Sequence, residues 1–331
     1  MDLSTRWLGL TLKNPLVPAA SPLSRSLDAA RQLEDAGAAA IVMHSLFEEA
    51  VRAETAGVPD EQDIGTAGAQ AYQPVHRGFP GELDRYLEQV AALKASLEIP
   101  VIASLNGVTA SGWMTHARDI RDAGADALEL NAYYVAGDVW EDGLYVEQRY
   151  LTLLKSLREA IDIPINMKLS PWFSSVGHMV KALEQAGAAG VTLFNRFYQP
   201  DINVDALELQ HSLHPSSSAD ALLAMRWVAM LHGRVACSLG ATGGVHTTHD
   251  VLKLLLAGSD VVHLCTALLQ HGPRHLARVL EEMGAWMAEH GFTGVGDFRG
   301  RLSQTSVQDP AEYERVNYLR ILDSYSFHPD A

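Results

Sequence analysis

Residues 35–43 read DAGAAAIVM, 122–130 DAGADALEL, 185–194 QAGAAGVTLF and 256–264 LAGSDVVHL. The phrase recurs at unequal intervals, each time running from a helix-like segment through a glycine into a short β-prone run. Gly37, Gly124, Gly187 and Gly258 stand where a helix C-cap takes the left-handed conformation, so each copy predicts helix, tight turn and strand.

Proline marks two further strand starts, EIPVIASLN at 98–106 and DIPINMKLS at 162–170, each behind a segment rich in Leu, Lys and Ala. With NPLVPAAS near the N-terminus and GRVACSLGATGG at 233–244, eight strands are expected, near 16–21, 39–44, 100–105, 126–131, 164–169, 190–195, 234–240 and 260–265. They are mostly short, apolar and separated by amphipathic stretches such as LDRYLEQVAALKASL and VEQRYLTLLKSLREA, the pattern of a parallel sheet buried on both faces. Eight such units predict an α/β protein, a (β/α)8 TIM barrel. An open doubly wound sheet is the alternative, but it would usually carry a glycine-rich fingerprint after its first strand, and PAASPLSRS is not one.

The chain has 331 residues, 47% apolar and 20% charged, which argues against disorder and permits either two domains or one large barrel. Twenty-five basic against 40 acidic residues give a net charge of −15, which opposes nucleic acid as a partner. Cys237 and Cys265 lie in apolar stretches and read as buried thiols of a reducing compartment. The N-terminus carries no export signal, and no run approaches the ~18 apolar residues of a membrane span, so a soluble cytoplasmic protein is expected. Long insertions are expected at 46–80, after the second strand, and at 132–147, after the fourth. The barrel is assigned to residues 1–303 as a single domain, with 304–331 as a C-terminal extension. Tyr313, Val316, Leu319 and Ile321–Leu322 of that extension form a helical stripe fit to pack on the barrel or on a second subunit.

The expected strand ends are more polar than the strands: Ser21, His44 with Ser45, Asn106, Asn131, Lys168, Asn195, Thr242 and Thr266. Active sites of such barrels are built on that rim. In ATGGVHT, Gly243 and Gly244 follow the seventh strand and lead into a helix. With the Cys265–Thr266 turn after the eighth strand they point to a phosphate-bearing cofactor. Lys168 suits stabilisation of an anion such as a reduced flavin, formation of a Schiff base, or a rim salt bridge. Asn131 and Asn195 each offer a donor and an acceptor to a planar, amide-containing ligand.

These motifs resemble the dihydroorotate dehydrogenase family, FMN-dependent (β/α)8 barrels, in NPLVPAAS, ELN at 129–131, KLSP at 168–171, FN at 194–195, ATGGV at 241–245, CTALLQHGP at 265–273 and GFTGVGDFRGRLS at 291–303. The resemblance implies FMN as cofactor, with contacts from Ala20, Ser21, Ser45, Asn131 and Lys168, and His44 beside Ser45 is a further candidate contact. It implies a phosphate cradle of Gly243, Gly244, Cys265 and Thr266. It places Asn195 toward the substrate, with Asn106, Tyr133 and Arg196 as further substrate candidates, and implies a homodimer.

Three departures bear on the reaction. His44–Ser45 stands where the family has Lys-Ser, no substrate-binding asparagine motif is evident in 60–80, and the catalytic loop reads NAYYVAGD, with Tyr134 in place of a Cys or Ser base. A tyrosine of pKa about 10 serving as a base at neutral pH costs roughly 4 kcal/mol, so Tyr134 is expected to act as an acid, protonating a substrate carbon during reduction by FMN, or to wall the pocket with Tyr133. Arg196 is placed to hold a carboxylate or to pair with an acidic loop residue. His246 and His249 lack a third ligand, so no metal is expected, and no Cys-x-x-Cys offers an iron–sulfur cluster.

The function expected is FMN-dependent oxidation or reduction of a CH–CH or C=C bond in a small polar substrate, either dihydroorotate, a related dihydropyrimidine or an activated alkene. The alternatives are a flavin-free aldolase or isomerase with a Schiff base at Lys168, and a non-catalytic flavin binder.

Overall fold

The computed structural model describes residues 1–51, 81–107 and 110–324. Its centre is an eight-stranded, all-parallel sheet of β3 (Leu16–Pro18), β4 (Ile41–Phe47), β5 (Val101–Asn106), β6 (Ala127–Asn131), β7 (Ile165–Leu169), β8 (Gly190–Leu193), β11 (Ser238–Thr242) and β12 (Val261–Leu264). Neighbours run in the order β3-β12-β11-β8-β7-β6-β5-β4. The seam between first and last is bridged where Ala39 N–H donates to the Leu16 carbonyl at 3.0 Å. This is a (β/α)8 TIM barrel.

The four capping glycines take φ of 102°, 99°, 102° and 120°, as the repeated phrase requires. Around the sheet lie α1 (Leu27–Asp35), α2 (Glu82–Ser96), α3 (Ala110–Asp122), α4 (Gly143–Ala160), α5 (Val176–Gln185), α6 (Ala221–Leu231), α7 (Thr248–Ala257), α8 (Thr266–His271), α9 (Arg274–Glu289) and, near the end, α10 (Arg315–Ser324). Leu128, Leu130, Ile165, Met167 and Leu169 point outward from the sheet into the main core beneath these helices. A smaller second core fills the base of the barrel.

That base is closed by a hairpin that the phrase pattern does not reveal, β1 (Thr5–Trp7) and β2 (Leu10–Leu12). Trp7 and Leu8 pack against Val17, Val42, Ile102, Ala127 and Val261. Leu8 N–H donates to Ser238 Oγ at 3.0 Å, and Thr5 Oγ1 to the Asp260 carbonyl at 2.9 Å.

The first barrel strand ends at Pro18 rather than 21, and two others differ more from their expected limits. The seventh begins at Ser238 rather than 234 because Glu184 takes the backbone N–H groups of Ala236 and Cys237, which removes them from the ladder. The second runs on to Phe47 past a bulge between Val42 and Ser45, so His44 and Ser45 lie within the strand rather than at its end. The connection after β8 is a third long rim segment, unmarked by the sequence, and carries the hairpin β9 (Asp201–Asn203) and β10 (Glu208–Gln210). The insertion expected over 46–80 falls outside the described residues from 52 on, as does all of 60–80.

In the C-terminal segment, the turn Pro310–Tyr313 is tied to the barrel by Arg226 Nε to the Tyr313 carbonyl at 2.8 Å and by Gln304 Nε2 to the Pro310 carbonyl at 3.1 Å. The expected stripe does not pack on the barrel as a whole, because only Tyr313 reaches the core while Leu319, Ile321 and Leu322 remain more than half exposed. Among the described residues, no helix is long and apolar enough to cross a membrane.

Trp7 is fully buried, so Trp7→Ala leaves a void at the base of the barrel. A loss of about 3–5 kcal/mol is expected, measured by denaturant unfolding.

Candidate active site

Side chains alternate along a strand, so the inward set can be followed up from the apolar base. Above Ile102 come Ser104 and Asn106. Above Ala127 come Glu129 and Asn131, and above Val261 comes His263, with Cys265 just past the strand. Asn166, Lys168 and Thr192 complete the layers. The barrel is therefore apolar at its floor and polar in its middle and at its mouth.

The middle layer is a buried network. Lys168 Nζ lies 3.6 Å from Glu129 Oε1, both side chains almost fully buried. Asn166 Nδ2 donates to Glu129 Oε2 at 3.0 Å and to Thr192 Oγ1 at 2.8 Å. Two charges removed from water in this way are tolerable only as a pair with further hydrogen bonds. His263, edge-on to Trp7 with ring centroids 5.2 Å apart, is pushed down to about 3 by burial and by the Lys168 charge, and is neutral. Burial likewise raises the thiol of Cys265, against the opposing influence of Lys168, and that of Cys237, to about 12.

On the rim, Asn195 Nδ2 donates to Asn131 Oδ1 at 2.8 Å, which leaves the Asn131 amide hydrogens and the Asn195 carbonyl for a ligand. Ser45 Oγ lies 2.9 Å from Ser104 Oγ. Tyr86 OH donates to the Ser104 carbonyl at 3.1 Å and accepts from Ser104 N–H at 2.8 Å. The His44 ring meets Tyr86 edge-on at 5.1 Å, and its backbone N–H donates to Ser24 Oγ at 2.6 Å. Ser21 is buried just past β3, beside Ala20, whose carbonyl lies 4.0 Å from Cys265 Sγ.

Gly243 and Gly244 have φ of 90° and 71°. A Cβ on Gly243 would find nothing nearer than the Phe194 carbonyl at 3.9 Å, so its backbone is open to close approach. One on Gly244 would meet Ala221 N at 2.3 Å and the Ser217 carbonyl at 2.6 Å. Ser216 Oγ joins this loop to the next by bonds to His246 Nε2 at 2.9 Å and Thr266 Oγ1 at 3.0 Å. Thr266 opens α8, whose first N–H groups have no partner within the helix. An open glycine backbone, a hydroxyl pair and a buried lysine fit a phosphorylated, anion-forming cofactor. His246 is thus engaged with Ser216, and among the described residues no group of three or more His, Cys, Asp or Glu could hold a metal ion.

Past β6, the Tyr133 ring stacks on Phe197 at 4.0 Å, and its oxygen accepts Tyr198 N–H at 3.2 Å. Tyr134 turns to Glu141, donating to its two carboxylate oxygens at 2.6 Å each, and the Arg149 guanidinium covers its ring at 4.1 Å. Arg196 lies 5.8 Å from the Tyr198 ring centre and has no ion pair among the described residues. Sequence reading missed Glu129, Asn166 and Thr192, although their inward positions follow from strand alternation. It also missed the serine run 216–218 directly before helix α6.

The family model for dihydroorotate dehydrogenase matches residues 2–287. The chain belongs to the dihydroorotate dehydrogenase family. As a dihydroorotate dehydrogenase family member it is an oxidoreductase, which sets aside the aldolase and the non-catalytic binder. Among its relatives is the catalytic subunit of dihydroorotate dehydrogenase B (NAD(+)) of Thermoplasma acidophilum, 27% identical over 307 residues covering 90% of this chain and 98% of the relative. The subunit of the same name from Anoxybacillus flavithermus is 27% identical over 300 residues, 88% and 93% of the two chains. That from Methanothermobacter thermautotrophicus is 24% identical over 314 residues, 90% and 97%.

Both glycines are testable. Gly243→Ala is strained only by its φ and should cost about 1 kcal/mol, whereas Gly244→Ala also collides with backbone and should lower the melting temperature by clearly more. His263 has a folded pKa below its unfolded value of about 6.5, so the unfolded chain binds the extra proton in between. Stability should fall as pH drops from about 6.5 toward 3, by up to about 1.4 kcal/mol per pH unit, and urea unfolding of His263→Gln should show a flatter profile.

Proposed function

We propose that this chain is an FMN-dependent oxidoreductase acting on the CH–CH or C=C bond of a small polar substrate, dihydroorotate or a related dihydropyrimidine. The observation that carries this is Lys168, a buried ammonium paired with Glu129 at the barrel mouth, beside the Asn131–Asn195 amide pair. The ion pair ties up an amine that a Schiff base would need as a free nucleophile, and suits a standing positive charge instead.

FMN, when bound, supplies two-electron hydride chemistry. In this reading Lys168 holds the pyrimidine end of the ring system and its developing negative charge. Gly243, Gly244, Cys265 and Thr266 hold the phosphate, and Ala20, Ser21, His44, Ser45 and Asn131 line the ring. Asn106, Tyr133 and Asn195 orient the substrate, and Arg196, which has no ion pair among the described residues, takes a carboxylate. Tyr134 handles the substrate proton.

The relatives' designation as NAD(+) catalytic subunits supports electron exchange through a second protein; the homodimer rests on the family resemblance alone. A cytoplasmic location fits that role. The barrel at 1–303 constitutes the functional domain, and 304–331 an extension.

Purified protein reconstituted with FMN should be yellow, and anaerobic dihydroorotate should bleach it. Lys168→Ala should weaken FMN binding by at least about tenfold, read by fluorescence titration. Wild-type protein that retains no flavin would sink the proposal.

A further inference from the structure

Tyr134 stands where the family places its proton-handling residue, yet its own proton is already committed to Glu141 by bonds of 2.6 Å. Burial and Glu141 push the phenol up to about 12, so alone it is both a weak acid and an unavailable base. A hydroxyl that passes one proton on as it accepts another escapes that limit, because no phenolate forms. Its geometry needs a donor bond to a carboxylate and a free lone pair on the phenol oxygen, and Tyr134 has the first.

The surroundings hold this arrangement. Arg149 of α4 lies over the Tyr134 ring at 4.1 Å and 3.7 Å from Glu141 Oε1, so the carboxylate has a cation beside it. Tyr150, also of α4, is buried and packs edge-on against Phe173 at 5.3 Å. Tyr145 is the remaining titratable group facing Tyr134 from α4. Asp138 and Asp142, the acids flanking Glu141, accept backbone N–H groups of Trp140 and Tyr145 at 2.9 and 2.7 Å.

Building on the function proposed above, we propose that Glu141 is the terminal proton acceptor of this site, reached through Tyr134 and held by Arg149. In the oxidative direction a substrate C–H gives its proton to the Tyr134 oxygen while the Tyr134 O–H proton moves to a Glu141 oxygen, and from there to water. FMN, when bound, would supply the two-electron acceptor for the hydride from the neighbouring carbon, so that the substrate would lose two electrons and two hydrogens in forming its double bond. Glu141 and Arg149 are positioning residues that act through Tyr134. In the reverse direction the same path delivers a proton only when Glu141 carries one.

The test uses FMN-loaded full-length protein, anaerobic bleaching by dihydroorotate or a related dihydropyrimidine, and carbon NMR across pH of tyrosine labelled at the ring carbon bearing the hydroxyl. Glu141→Gln and Tyr134→Phe should each slow bleaching by about 10²-fold or more, the usual scale of proton catalysis. Glu141→Asp should recover part of the rate. The Tyr134 signal should ionise at lower pH in Glu141→Gln, where the carboxylate that raises it is gone. Bleaching at the wild-type rate in Glu141→Gln, or a Tyr134 signal that ionises at the same pH in that variant as in wild type, overturns the relay while leaving the proposed function standing. Flavin-loaded wild-type protein that neither dihydroorotate nor a related dihydropyrimidine bleaches overturns the proposed function and the relay with it.

Discussion

A barrel of eight parallel strands can enclose a charge only if it encloses the partner as well, and the Lys168–Glu129 pair meets that constraint. The two residues sit on adjacent strands, β7 and β6, one layer apart, and Asn166 and Thr192 extend the network to β8. This network lets the ammonium stand inside the barrel with most of its surface removed from solvent. Losing Glu129 would leave an unpaired buried cation and open the layer on which the rim residues rest.

Much of the fold was legible because helix, glycine and strand follow one another in a repeated order. The capping glycines adopt the left-handed backbone that the phrase demands, and the strands behind Pro100 and Pro164 begin at the next residue. What escaped was decided by contacts distant in sequence. Nothing local in TRWLGLTL says that it plugs a barrel, since the evidence for it lies in Ser238, Asp260 and His263. The late start of the seventh strand depends on a carboxylate from helix α5.

The rim was legible as a set of polar strand ends. The links between its members were not. That Asn195 bonds Asn131 reflects the registers of β6, β7 and β8, and that Tyr134 turns to Glu141 reflects the path of a loop that also meets α4. Residue type and spacing nominate a proton-handling residue, but only the fold says which group holds its proton.

The hairpin at the barrel base also constrains how the chain is made. Thr5 and Asp260, 255 residues apart, and Leu8 and Ser238, 230 apart, must meet for the base to close. The hairpin residues therefore stay exposed until the segment from Ser238 to Asp260 has been made, and Trp7 is the apolar surface left waiting. Contacts of such separation are slow to form and open to misassociation meanwhile. The hairpin of residues 5–12 is thus the closing piece of the fold rather than its nucleus.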